Sequence, residues 1–218
     1  LINAGATNLN NDDNTFNPDT AGYLMMYREV RGGPFQLMVR LEQPPATAGG
    51  QAGLEIRSNT GGTSAKLMYT FGSDGILRIY SRASNAYPVL QRDLDLAHSD
   101  PIWLRINRNG NQFTFDYSTI NSESPPADWD NFETLTFTLP DTVQAGLLNA
   151  PNEPGSTDVE TAQFKHFHLC ASATLAGAVP GVSGNYLGNR CGQVEEGGHG
   201  MVVIDTINYT LNQDGYRE

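Results

Sequence analysis

The feature of the sequence that most constrains its fold is a two-residue alternation of apolar and polar side chains. In the run PFQLMVRLEQ, the side chains of Phe35, Leu37, Val39 and Leu41 point to one side, and the residues between them point to the other. A period of two residues is the period of a β-strand. Glycine, proline and asparagine separate such runs, and no convincing amphipathic helix is present. The chain is therefore expected to be all-β.

About ten strands are predicted at roughly even spacing. Ser73-Asp74-Gly75 predicts one hairpin, and Asn109-Gly110 predicts another with a type I′ turn. Asp93-Leu94-Asp95 lies in a turn-like stretch before Pro101. Two stacked antiparallel sheets, as in a β-sandwich or jelly roll, are the expected packing. The strand-like runs span residues 22–30, 34–43, 52–59, 65–72, 75–82, 103–118, 134–139, 143–147, 160–169 and 201–211.

The acidity of the chain disfavours some partners. Its 218 residues include 24 Asp and Glu against 13 Lys and Arg, which gives a net charge of −11. Such a surface repels the phosphates of nucleic acids and anionic lipid headgroups, although the charge could serve solubility alone. No apolar run approaches the roughly 20 residues of a membrane-spanning helix. Neither nucleic-acid binding nor a membrane span is expected.

The two cysteines of the chain are Cys170 and Cys191. In a lysine-poor chain rich in Asn, Thr and Gly, we expect them to form a disulfide; two buried free thiols are the alternative. Disulfides persist in oxidising compartments. We therefore expect the chain to be extracellular or at the cell surface.

Several short motifs follow one another in a fixed order along the middle of the chain. They are Ala52-Gly53-Leu54-Glu55-Ile56-Arg57, then Trp103-Leu104-Arg105-Ile106 with Arg108, Gly110 and Phe113, then Tyr117-Ser118 and Trp129, then Leu139-Pro140, Val143 and Gly146-Leu147, and last Thr161-Ala162 with Phe164. This ordered set resembles bacterial jelly-roll domains of the concanavalin A-like lectin/glucanase superfamily. The resemblance implies a two-sheet antiparallel jelly roll. It leaves the function open, because lectins, carbohydrate-binding modules, glycosidases, adhesins and coat-like proteins share this fold.

Two parts of the chain depart from the family pattern. Residues 119–128 form a longer segment than the short Asp-Gly turn usual there, and the tail after Cys170 has no counterpart. Residues 1–20 are rich in Asn, Asp and Thr and lack periodicity. We expect a single domain over residues 1–218, with an N-terminal arm (1–20), a family-like core (21–169) and a disulfide-looped tail with a final strand (170–218).

The sequence lacks the carboxylate pair that glycosidases resembling this chain carry on one strand. Their motif, E-x-D-x-E or E-x-D-x-x-E, sets two carboxylates on one face for acid and nucleophile roles. The nearest run here, Glu55-Ile56-Arg57, has a base where the second acid would stand. No enzymatic activity is expected, and a glycoside hydrolase is kept as a second alternative.

Polar and aromatic side chains on strands and loops are candidates for carbohydrate binding. Glu55 and Arg57 share one strand face, and Arg105 shares another with Trp103. If the two faces coincide, they form a polar floor on which loop aromatics stack a sugar ring. The alternative is a cross-strand salt bridge with Trp103 in the core. The candidate residues are Glu55, Arg57, Arg105, Tyr87 and Trp129.

An oxygen-rich cluster in the N-terminal arm is a candidate calcium site. Calcium takes about six to eight oxygen ligands, which carboxylates and side-chain amides supply. The EF-hand spacing is absent, and a solvated polar arm is the alternative. The candidate ligands are Asn10, Asp12, Asp13, Asn14 and Asp19.

The sequence therefore favours a secreted or cell-surface domain that binds glycans or mediates adhesion without catalysis. The main alternative is a structural subunit of an extracellular filament, sheath or surface layer, assembled through its termini. The expected partner is a glycan or, in a homo-oligomer, neighbouring copies of the same chain. Calcium is the candidate cofactor, and no other cofactor is expected.

Overall fold

The computed structural model describes residues 24–46, 48–59, 64–86, 88–97, 101–150, 161–171 and 209–211. All regular elements in these ranges are β-strands. They are β1 (Leu24–Arg31), β2 (Phe35–Gln43), β3 (Gln51–Arg57), β4 (Lys66–Gly72), β5 (Ile76–Arg82), β6 (Val89–Asp95), β7 (Ile102–Asn109), β8 (Gln112–Ser118), β9 (Asp130–Thr136), β10 (Thr142–Ala150), β11 (Ala162–Ala171) and β12 (Tyr209–Leu211).

The strands form two six-stranded sheets that pack face to face. Sheet A has the order β1-β10-β3-β4-β5-β6, and sheet B has the order β12-β11-β2-β7-β8-β9. Neighbouring strands are antiparallel in both sheets. The predicted fold class, an all-β two-sheet antiparallel sandwich of the jelly-roll type, is confirmed. Nowhere in the described ranges is there a helix long and apolar enough to cross a membrane.

The core lies between the sheets and consists of the inward-facing residues of both. Leu37 and Val39 of sheet B and Leu54 and Ile56 of sheet A belong to one buried cluster, as the alternation predicts. Burying one such side chain stabilises the fold by about 1.5–3 kcal/mol. The residues between them point to the two outer faces. On sheet A these include a second, smaller cluster of buried apolar side chains, formed by Met25, Met68, Tyr80, Leu148 and Ala150.

The turn of the β7–β8 hairpin lies one residue later than predicted. Asn109 pairs with Gln112, so the two turn residues are Gly110 and Asn111. Gly110 has a φ of +62°, whereas Asn111 is not among the residues with positive φ. Glycine with positive φ at the first turn position is typical of a type II′ turn. The predicted type I′ turn at Asn109-Gly110 is therefore wrong.

The turn predicted around Asp93-Leu94-Asp95 is also wrong, because these residues belong to strand β6. Among the described strands, this one lies at the edge of sheet A and pairs with β5 alone. Nearly all of its residues are exposed, so no apolar alternation marks it in the sequence. The edge strand β9 begins at Asp130, before the predicted 134–139 run.

Several predictions fall outside the described residues. These are the N-terminal arm with its candidate calcium ligands, Tyr87, Cys191 and most of the tail. Of the predicted last strand, the structure describes Tyr209–Leu211, which pairs with β11.

Candidate ligand-binding face

The outer face of sheet B carries the candidate site. On β7, Leu104 and Ile106 point into the core, so Trp103, Arg105 and Asn107 point outward. Strands β2 and β8 flank β7 and add their own outward residues to the same face. The predicted shared face of Trp103 and Arg105 is confirmed, and Asn107 lies on it as well.

Five polar side chains on this face form a hydrogen-bonded group, here called the polar row: Gln36, Arg105, Asn107, Asp116 and Asn131. Asp116 is its buried centre, and it accepts hydrogen bonds from Arg105 Nε at 2.9 Å, Asn107 Nδ2 at 2.9 Å and Asn131 Nδ2 at 3.1 Å. Gln36 Nε2 donates to Asn107 Oδ1 at 2.7 Å. The row crosses β2, β7, β8 and β9, so four strands fix the directions of its donors and acceptors.

Trp129 borders the polar row. Its indole Nε1 donates to the carbonyl oxygen of Pro126 at 2.9 Å. The guanidinium carbon of Arg105 lies 4.1 Å from the ring centroid of Trp129, a cation–π contact. The rings of Trp103 and Trp129 are nearly perpendicular, with 6.5 Å between their centroids. Trp129 is half-buried and held from several directions, so its position is fixed before any ligand arrives.

The segment between β8 and β9, residues 119–129, folds over one end of this face and is here called the covering loop. Trp103 lies beneath it, fully buried, and its Nε1 donates to the carbonyl oxygen of Ser122 at 3.2 Å. The buried Arg40 on β2 donates to Asn121 and pairs with Glu123. The insertion that departs from the family pattern is therefore an anchored part of the site.

His166 on β11 closes the same end of the face. It sits where the pairing of β11 with β2 shifts register, and its φ of +52° is unusual for a non-glycine residue. Its ring stacks on Trp103 at 5.7 Å, and its Nε2 lies 3.1 Å from Glu123 Oε2. A strained backbone persists only where its surroundings hold it, and Trp103 and Glu123 supply these contacts.

Glu123 is the ionic anchor of the covering loop. The hydrogen bond from Arg40, followed by that with His166, lowers the pKa of Glu123 from 4.5 to about 2. Lys165 lies 3.6 Å away and adds a second positive charge. Glu123 is therefore ionised at neutral pH and serves as an acceptor and countercharge.

The five predicted carbohydrate-binding residues do not form one site. Arg105 and Trp129 come together on the outer face of sheet B. Glu55 and Arg57 lie on the outer face of sheet A, because their neighbours Leu54 and Ile56 point into the core. The core separates the two faces, so they do not coincide as the predicted polar floor requires. Tyr87 lies outside the described residues.

Glu55 lies in a buried ionic environment. It is fully buried, and its Oε1 lies 3.9 Å from Lys66 Nζ on β4. This is a cross-strand salt bridge, as the alternative expects, but its cation is Lys66, which is not among the predicted residues. Burial lowers the pKa of Lys66 to about 8, while the negative charge of Glu55 opposes that shift. Arg57 donates to Gln144 at 2.9 Å, and its guanidinium lies 5.1 Å from the ring centroid of Tyr27. These contacts tie Glu55 and Arg57 to neighbouring side chains of sheet A.

The position of Trp103 agrees partly with the predicted polar floor and partly with its alternative, in which Trp103 lies in the core. It is fully buried, as the alternative expects, but it lies beneath the covering loop on the outer face of sheet B and not in the core between the sheets.

Within the described ranges, no three His, Cys, Asp or Glu side chains group closely enough to hold a metal ion. The candidate calcium ligands lie outside those ranges, so calcium binding stays a prediction.

Sequence reasoning missed Arg40, Asp116, Glu123 and the contribution of Gln36. A signal for Asp116 existed: it alternates with the buried Phe113 and Phe115, so it had to face outward. Placing it opposite Arg105 requires the correct hairpin register. The partners of Arg40 on the covering loop leave no local pattern, since they are about 80 residues away in sequence.

Comparison with known proteins gives the fold and little more. The sequence matches no family model, and no curated protein is significantly similar to it. A functionally unknown protein from Saccharomyces cerevisiae has a similar crystal structure, with a TM-score of 0.55 and 16% identity over 79% of this chain and 85% of that one. This similarity supports the sandwich fold. The narrower resemblance to bacterial concanavalin A-like domains stays a prediction.

Two further solved structures are more distantly similar. A K247S mutant of the GH43 protein BlXynB from Bacillus licheniformis has a TM-score of 0.49 and 16% identity, over 69% of this chain and 33% of that one. The carbohydrate-binding module CBM66 from Bacillus subtilis has a TM-score of 0.45 and 10% identity, over 67% of this chain and 80% of that one.

Proposed function

We propose that this chain is an extracellular or cell-surface glycan-binding domain without catalytic activity. The ligand lies on the outer face of sheet B, along the polar row and against Trp129. One observation carries the proposal: a group of hydrogen-bonded polar side chains lies beside a fixed, half-buried tryptophan. Sugars present hydroxyl groups and apolar C–H faces, and polar groups next to an aromatic surface suit both.

The acidic groups of this face support a binding role over a catalytic one. A glycosidase needs a carboxylic acid that donates a proton, usually with a raised pKa, beside a second carboxylate. Asp116 is committed to hydrogen bonds from three side chains. Glu123 has its pKa lowered to about 2 by Arg40 and His166, so it holds no proton to donate at neutral pH.

The test is a glycan array probed with the native chain and with Trp129→Ala. We expect the native chain to bind at least one glycan class on the array. We expect Trp129→Ala to bind that class at least tenfold more weakly. The control is Tyr27→Ala, which removes an exposed aromatic from sheet A and should change the affinity less than twofold. Failure to retain any glycan, or equal binding by Trp129→Ala, would overturn the proposal.

A second candidate function, a subunit of an extracellular assembly, is favoured by the edge strand β6. Val89 and Leu90 on this strand are 56% and 44% exposed, and an exposed strand edge can pair with a neighbouring chain. Sedimentation across a hundredfold concentration range tests it. Concentration-dependent growth that Leu90→Glu abolishes would support assembly through β6, and a monomer throughout would exclude it over that range.

A further inference from the structure

Six charged side chains on the outer face of sheet B, three cations and three carboxylates, pair with one another. Arg105 Nη2 lies 2.9 Å from Asp116 Oδ2. Arg40 pairs with Glu42 and Glu123, and Lys165 lies 3.7 Å from Glu42 and 3.6 Å from Glu123. The three cations therefore face three carboxylates, and these pairs contribute no net charge.

This pairing of charges affects the affinity of the face for a charged ligand. A carboxylate or sulfate on a sugar would find each of these cations already paired with a carboxylate, so its own negative charge would stay uncompensated unless it displaced Asp116, Glu42 or Glu123. The chain as a whole carries a net charge of −11, which repels an approaching anion. Sugar hydroxyls need no such displacement, because they can use remaining N–H groups and oxygen lone pairs of the paired side chains.

We propose that this face selects neutral glycans and discriminates against acidic ones. The inference rests on the proposed glycan-binding function and names its ligand class. Specificity of this kind comes from a repulsive element as well as an attractive one. Here the repulsive element is the set of carboxylates that already occupy the cations.

The test uses pairs of oligosaccharides that share linkage and configuration and differ only at carbon 6. β-1,4-Mannan and β-1,4-mannuronan oligomers form one pair, β-1,4-glucan and β-1,4-glucuronan a second, and α-1,4-galactan and α-1,4-galacturonan a third. We expect the neutral member of any pair that binds to bind at least tenfold more tightly. Its affinity should change less than twofold as NaCl rises from about 0.05 to 0.5 M, because no net ion pair forms.

A charge variant tests the physical cause. Glu42→Gln keeps the size and shape of the side chain but removes the negative charge that pairs with Arg40 and Lys165. We expect the affinity for the acidic member, relative to the neutral one, to rise at least threefold. The matched control is Glu29→Gln on sheet A, which changes the net charge equally and should leave the ratio unchanged.

The outcomes separate this inference from the proposed function. Equal or tighter binding of the acidic member would overturn neutral selectivity while leaving glycan binding in place. An unchanged ratio in Glu42→Gln would also overturn it, because charge balance would not be the cause. Absence of binding to any oligosaccharide, in these pairs and on the array, would overturn both.

Discussion

Asp116 is the residue on which the polar row depends, because three side chains donate hydrogen bonds to its carboxylate. We expect Asp116→Ala to lower the free energy of unfolding by about 3 kcal/mol, since it strands the partly buried Arg105 and two amides without an acceptor. Urea denaturation measures this loss. The control is Asp93→Ala on the exposed strand β6, and an equally small loss in both variants would contradict the role of Asp116.

The lowered pKa of Glu123 predicts that the free energy of unfolding depends on pH in the acidic range. A carboxyl group whose pKa is lowered on folding stabilises the native state above its ordinary value of 4.5, and loses that stabilisation as the pH falls toward about 2. We therefore expect a smaller loss of stability between pH 4.5 and 2 in Glu123→Gln than in the native chain. Tryptophan fluorescence during denaturation follows this, because Trp103 and Trp129 lie under and in the covering loop.

Glu29→Gln is the control for that experiment. Glu29 lies on sheet A, away from the covering loop, and pairs with the exposed Arg31 of the same strand. The stability of Glu29→Gln should fall with pH as it does in the native chain. An identical slope in Glu123→Gln and the native chain would show that Glu123 does not anchor the covering loop.

Two strands need glycine for steric reasons. An added Cβ on Gly53 would meet the carbonyl oxygen of Tyr69, and one on Gly146 would meet that of Met26. We expect Gly53→Ala to cost about 2 kcal/mol or more in the free energy of unfolding, because the neighbouring backbone would have to move. Gly32→Ala is the comparison: Gly32 has open space and a φ of +64°, so conformational strain alone should cost about 1 kcal/mol. Equal losses in thermal or urea unfolding would contradict the steric account.

The hairpin formed by β7 and β8 shows what could be predicted from the sequence and what could not. Alternation predicts correctly that Arg105 faces outward. A turn at Asn109-Gly110 would set Arg105 opposite Thr114, whereas the observed turn sets it opposite Asp116. Asparagine followed by glycine is compatible with either register, so the sequence alone left the central ion pair of the site undetermined.

Edge strands were harder to predict than central ones. Strand β2 lies between β11 and β7 and packs Leu37, Val39 and Leu41 into the core, which makes its alternation visible. Among the described strands, β6 pairs on one side only and exposes most of its side chains, so burial imposes no period on its sequence. The length of the covering loop could be read from the sequence, but its conformation could not, because long-range contacts with Arg40 and Trp103 hold it.

At the scale of the whole molecule, the two sheets divide the predicted site residues between them. Glu55 and Arg57 contact Lys66, Gln144 and Tyr27 on sheet A, and Arg105 and Trp129 contact each other on sheet B. The sequence shows which residues point outward from a strand, but not which strands share a sheet. That assignment depends on strand order, which is a property of the complete fold.

The disulfide is a whole-molecule prediction. Cys170 lies near the end of β11, and Cys191 lies outside the described residues. We expect no thiol to react with a thiol reagent in the unfolded, unreduced chain, and we expect reduction to lower the free energy of unfolding by about 3 kcal/mol. Two reactive thiols per chain would contradict the disulfide and remove the argument for an oxidising compartment.

A glycan bound on the outer face of sheet B would change the chemical environment of the side chains and backbone of that face. Backbone and indole NMR shifts of the labelled chain, titrated with a neutral glycan that the array identifies, test this placement of the glycan most directly. We expect the largest shifts to fall on β7, β8, the covering loop and the indole N–H of Trp129. Shifts concentrated on β3 and β4 around Glu55 and Arg57, or spread without a centre, would contradict it.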